Sequence, residues 1–171
     1  RTALNAFSRV FNGAAANCPD RRLDWHRQER LRVFKLLTEV DEVQSPKFIF
    51  AHILLPHAPF VFDERGNAVD PENSGNWDDK EYYKEQFIFT TKMTQKTIKT
   101  IIERSEVTPI IIIQSDHGPR ASTGKTLNIP EKDSQKVLNA LLLPGYDYNE
   151  LTDNTSPTET FPLIIEHYFN E

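Results

Sequence analysis

An acid and an imidazole stand side by side in Ser115-Asp116-His117-Gly118, directly after Ile110-Ile111-Ile112-Ile113-Gln114. Four isoleucines between Pro109 and the Gly118-Pro119 pair have the character of a strand buried on both faces. Asp116 and His117 then fall where that strand leaves its sheet, which is where open α/β sheets bind their ligands. A carboxylate and an imidazole placed there can both ligate a metal ion. Gly118 lets the backbone turn away sharply. Ser115, Asp116 and His117 do not form a nucleophile–base–acid relay, because consecutive side chains leaving a strand point to opposite sides.

Two more imidazoles lie upstream in His52-Ile53-Leu54-Leu55-Pro56-His57-Ala58-Pro59-Phe60. His52 is inside an apolar run, where a histidine is more often a core residue with a backbone partner. His57 lies past the end of that run, between two prolines that stiffen the loop. An imidazole held in one place suits contact with a charged oxyanion or protonation of a leaving group. The segment from Gly118 to Gly124-Lys125-Thr126 imitates a phosphate-binding loop. Five residues separate its glycines where that loop has four, and Pro130 would break the helix it requires. A polar loop is the better reading, from which Arg120 and Lys125 reach an anionic substrate. His26, His167 and Cys18 have no motif around them and read as structural or surface residues.

The elements that must position these residues follow from the pattern. Leu4 to Phe11 suggests a short helix, and residues 12–20 a loop. Asp24 is placed to cap a helix from Trp25 to about Val40, with Leu31, Phe34 and Leu37 on one face. Lys47 to Leu55 (KFIFAHILL) is the first strong strand. Residues 63–81 hold seven acids, two bases, two glycines and Pro71, the composition of a long exposed loop, either a flap or a surface excursion. A long helix is expected over Glu81 to Arg104, with Phe87, Thr91, Thr94, Ile98 and Ile101/Ile102 as its inner face. Strands follow at Thr108 to Gln114 and Val137 to Leu143. Ser156-Pro157-Thr158-Glu159 opens a last helix to Phe169, with proline at its first position. Helices alternating with buried-type strands indicate an α/β fold, a mixed, mostly parallel sheet with helices on both faces.

At 171 residues the chain is most simply one domain, with residues 1–46 a helical lead-in and residues 47–169 the core. Hydrophobic content of 38% and charged content of 26% are those of an ordinary globular chain. Cys18 is the single cysteine, so no internal disulfide forms. No apolar stretch approaches the roughly 20 residues that span a bilayer. The net charge of -5 divides unevenly: residues 1–36 carry eight Lys/Arg against three Asp/Glu, and the remainder twelve against twenty-two. A sequence pI near 5.6 with no stripe of basic and aromatic residues argues against nucleic acid as a partner. Residue 1 is Arg rather than Met, from which a piece of a longer protein is expected.

Ser-Asp-His-Gly after a hydrophobic strand, with His52-x4-His57 and Ala58-Pro59-Phe60 upstream, resembles the alkaline-phosphatase/sulfatase superfamily. The branch it looks most like is the membrane-anchored one, lipoteichoic acid synthases and phosphoethanolamine transferases. Leu138-Asn139-Ala140, Leu143-Pro144-Gly145 and Ser156-Pro157-Thr158 are also similar to the C-terminal region of that family, so the resemblance covers about residues 47–169. It implies a C-terminal portion of a sulfatase-like domain, with a partial alkaline-phosphatase-like fold. The implied parent is a hydrolase or transferase acting on phosphate or sulfate esters. It implies Asp116 and His117 as ligands of a divalent cation (Zn, Mn, Mg or Ca). It implies His57, and with it His52, as contacts to the transferred group. The parent would lie at the extracytoplasmic face of a membrane, reaching the bilayer only through transmembrane segments outside this sequence. Family chemistry also needs an acidic metal ligand and a Thr, Ser or modified Cys nucleophile. The resemblance places neither on a residue here, since Cys18-Pro19-Asp20 lacks the Cys-x-Pro-x-Arg spacing. The piece alone is therefore expected to be inactive. The alternative is a non-catalytic module that binds an anionic glycan or lipid head group. An uncovered sheet edge would also allow a homodimer.

Overall fold

The computed structural model describes residues 19–70, 72, 79–119, 136–152 and 155–170. Its elements are α1 (Pro19–Leu37), α2 (Lys80–Arg104), β1 (Ile111–Gln114), β2 (Asn139–Leu142) and α3 (Pro157–Phe169), with short 3-10 turns at Val40–Glu42 and Tyr148–Glu150. The chain divides into two compact units, residues 1–99 and 100–171. No helix among the described residues is long and apolar enough to cross a membrane.

In the first unit the best-enclosed segment is a loop. Ala58, Phe60, Val61, Phe62 and Val69 are all buried. Leu23 of α1 and Phe89 of α2 join Val61 and Phe62 in one cluster, with Leu31, Leu55 and Met93 packed against it. The Phe62 and Phe89 rings meet at 4.5 Å. Each such side chain contributes about 1.5–3 kcal/mol when fully enclosed. The turn after this segment is built by Asp63, whose carboxylate accepts from the backbone N–H groups of Arg65 and Asn67 and from the Asn67 amide. Phe62 then bridges to Ala68, which returns Val69 to the core. The expected exposed excursion thus begins as a packed turn. Its acids and glycines serve that turn, which composition alone does not distinguish from an open loop.

Three expectations are corrected by the helices. α1 begins at Pro19, six residues earlier than its pattern suggested, consistent with proline's fit to a first helical turn. It buries Leu23, Arg30 and Phe34. α2 begins at Lys80 and turns Gln86, Phe89 and Thr97 inward, with Met93 half-buried on the same stripe. Phe87 and Ile102, assigned above to the inner face, are exposed. The phase is set by a buried glutamine, which a reading of apolar periodicity passes over.

The sheet differs most from expectation. Among the described residues it has two strands, and they are antiparallel, Ile111 facing Leu142 and Gln114 facing Asn139. The mixed, mostly parallel sheet is therefore not what these residues form, although helices and strands do mix in sequence. Residues 47–55 form neither helix nor ladder, and no described strand pairs with them. Phe48 is 74% exposed and Phe50 70%. A strand apolar on both faces needs a neighbour at each edge and a layer over each face, and none of the described residues supplies them.

In the second unit Gln114, at the end of β1, ties the sheet to α3. Its amide donates to Asn139 Oδ1 at 3.0 Å and to the buried Thr160 Oγ1 at 2.8 Å. α3 has the expected start, with Pro157 in its first turn, and a capping box between Ser156 and Glu159 closes it. Leu143, Thr160 and Ile164 are buried here.

Candidate functional site

Asp116 and His117 stand where β1 ends. Ser115 continues the pairing for one more residue: its N–H donates to Leu138 O at 3.0 Å, and its hydroxyl accepts from Leu138 N–H at 2.8 Å. That hydroxyl thereby helps hold the strand end. Asp116, His117 and Gly118 then form a bend, so strand alternation no longer separates their side chains. Asp116 Oδ1 accepts from the His117 N–H at 3.0 Å. The His117 Nδ1 lies 2.6 Å from Gly118 O. A carbonyl only accepts, so Nδ1 carries the proton, and in the neutral ring Nε2 presents a lone pair.

That Nε2 lies 3.5 Å from Asp116 Oδ2. An acceptor pair at this spacing suits a cation held between the two atoms. Ligand bonds of about 2.0–2.2 Å at a tetrahedral angle set two donor atoms about 3.4 Å apart. The pair fits a shared cation on that ground. The Nδ1–H bond to a backbone carbonyl is also the outer contact that metal-binding histidines commonly make. Asp116 is 88% exposed at its side chain and His117 31%, so the pair is open to solvent. Among the described residues no group of three or more His, Cys, Asp or Glu is gathered for a metal.

His57 belongs to the first unit and is held differently. Its Nδ1 donates to Ala58 O at 2.7 Å, since a carbonyl only accepts. The backbone beneath it is fixed by two buried polar side chains that sequence reasoning missed. Arg30 donates to Pro59 O at 2.8 Å and to His57 O at 3.1 Å. Gln86 donates to the carbonyls of Pro56 and His57, both at 3.0 Å, and its own oxygen accepts from Val61 N–H at 2.8 Å and Phe62 N–H at 3.3 Å. Burial lowers the Arg30 guanidinium to about 10, which leaves it charged at neutral pH. The available signal was positional. Arg30 stands between Leu23 and Phe34 on one stripe of α1, and Gln86 between Tyr82 and Phe89 on α2.

His52 lies exposed in the unpaired 47–55 segment rather than in a core. The strand neighbours that would have enclosed it are absent from the described residues. Arg120 and Lys125 lie outside the described residues, as does Cys18. The structure therefore joins Asp116 to His117 and fastens the loop of His57 from below. Comparison of the chain with protein-family models, with curated proteins and with solved structures finds no match.

Proposed function

We propose that this chain carries part of the site of a metal-dependent, sulfatase-like hydrolase or transferase acting on phosphate or sulfate esters. The observation that carries the reading is the Ser-Asp-His-Gly motif at the end of β1, with Nε2 and Oδ2 spaced for one cation. Asp116 and His117 are the cation's ligands. His57 meets the anionic group from a loop whose backbone is held by Arg30 and Gln86. Arg120 and Lys125 add charge toward the substrate. When bound, a divalent cation neutralises charge on the transferred group and lowers the pKa of an attacking hydroxyl. The parent fold is of the partial alkaline-phosphatase type, and its site faces outside the cytoplasm.

The acidic ligand and the nucleophile are assigned to no residue of this sequence. Two ligands alone hold a cation weakly, so the 171-residue chain binds Mn²⁺ weakly and turns over no ester. Calorimetric titration with Mn²⁺ tests this. Asp116→Ala and His117→Ala should each abolish the heat of binding; unchanged binding in both would remove the assignment. The lack of an assigned nucleophile also favours a second reading, a module that binds an anionic glycan or lipid head group without chemistry. The two part on ester turnover by the full-length protein, which the module lacks.

A further inference from the structure

The loop of residues 56–62 buries Ala58, Phe60, Val61 and Phe62, and beyond the Phe62–Ala68 bridge it belongs to no described ladder. Its backbone polar groups therefore need partners from side chains. Arg30 and Gln86 supply them, and their bonds are not spread evenly. Both converge on the carbonyl of His57, where Arg30 Nη2 and Gln86 Nε2 occupy the two acceptor positions of one oxygen. The same two side chains take the flanking carbonyls of Pro56 and Pro59. Gln86 is wholly buried and Arg30 is 6% exposed, so neither is available to solvent or ligand. His57 itself is exposed, its ring pinned to the carbonyl of Ala58. Among the described residues the hydrogen bonds of Arg30 go to carbonyls rather than to a carboxylate.

We propose that Arg30 and Gln86 are positioning residues that set the backbone of His57, and through it the Nδ1–H tautomer of the ring that meets an oxyanion. This rests on the reading of His57 as the contact to the anionic group. The division of labour is physical. Gln86 both donates and accepts, so it joins the 56–57 carbonyls to the 61–62 amides and closes the loop on itself. Arg30 uses two prongs of a planar fork, which a lysine does not reproduce.

The test is NMR of the ¹⁵N-labelled chain. Long-range ¹H–¹⁵N correlations report which ring nitrogen carries the proton, and inorganic phosphate is titrated while the His57 ring is followed. The parent chain should show one ordered Nδ1–H tautomer whose signals move with phosphate. Arg30→Lys and Gln86→Met, with helical content checked by circular dichroism, should average the two tautomers and weaken phosphate roughly tenfold. Folded variants that keep both the tautomer and the affinity overturn the proposal. So does an Nε2–H or averaged ring in the parent chain, a result that needs no variant to fold. A His57→Ala chain that binds phosphate as the parent does would overturn the anion contact itself. In that case the tautomer shift in Arg30→Lys still reports on the clamp separately.

Discussion

Gln86 gains little from the hydrophobic effect, yet its side chain is fully enclosed. It is held inside by the backbone groups it serves: the N–H groups of Val61 and Phe62 are buried and depend on it, and the carbonyls of Pro56 and His57 accept from it. Leaving such groups unsatisfied costs about 1–3 kcal/mol each. Gln86→Leu, which keeps the bulk and removes the bonds, should lower stability by about 2–4 kcal/mol, read as a fall in the urea midpoint. His26 gives a pH-dependent counterpart. Burial, then the charges of Arg30 and Arg22, lower its pKa below the ordinary value. Its proton therefore binds the unfolded chain more readily than the folded one. The stability this group contributes is present above about pH 6.5 and falls as pH drops from there toward the lowered folded value. His26→Gln should flatten that acid-side decline in denaturation curves collected across the range; an unchanged slope would show that His26 is not the group responsible.

At the scale of elements, two local devices hold the segments that carry the candidate residues. The turn after Phe62 places Gly66 at φ 88°, where a Cβ would lie 2.6 Å from the Phe89 ring. Gly66→Ala therefore meets both an unfavourable backbone conformation and a clash with the core. A loss of about 1–3 kcal/mol is expected by thermal denaturation. In the second unit Ser156 caps α3, the helix to which Gln114 anchors β1. Ser156→Ala should cost about 1 kcal/mol. The start of α3 was legible from Ser156-Pro157-Thr158-Glu159 because its signal lies within four residues. The inner face of α2 was not, because its phase depends on a loop more than twenty residues upstream.

At the scale of the molecule, the apolar surface is distributed unusually. The loop around Val61 and Phe62 is enclosed, whereas Phe48, Ile49, Phe50 and Leu54 of the 47–55 segment face solvent. Such a patch binds hydrophobic dyes and favours association. Phe48→Lys combined with Phe50→Lys should reduce ANS fluorescence and shift sedimentation toward the monomer; unchanged dye binding would place the exposed apolar surface elsewhere. The sequence alone made local features legible: the Asp-His pair after an apolar strand, the histidine between prolines, and the start of the last helix at Ser156-Pro157. These are short-range features, written in adjacent residues and in propensities that neighbours scarcely alter. Tertiary structure decided the rest. It set the antiparallel pairing of β1 with β2, the exposure of 47–55, and the enclosure of Arg30 and Gln86. Strand pairing and polar burial depend on which distant backbone groups need partners, and no local pattern of residues encodes that demand.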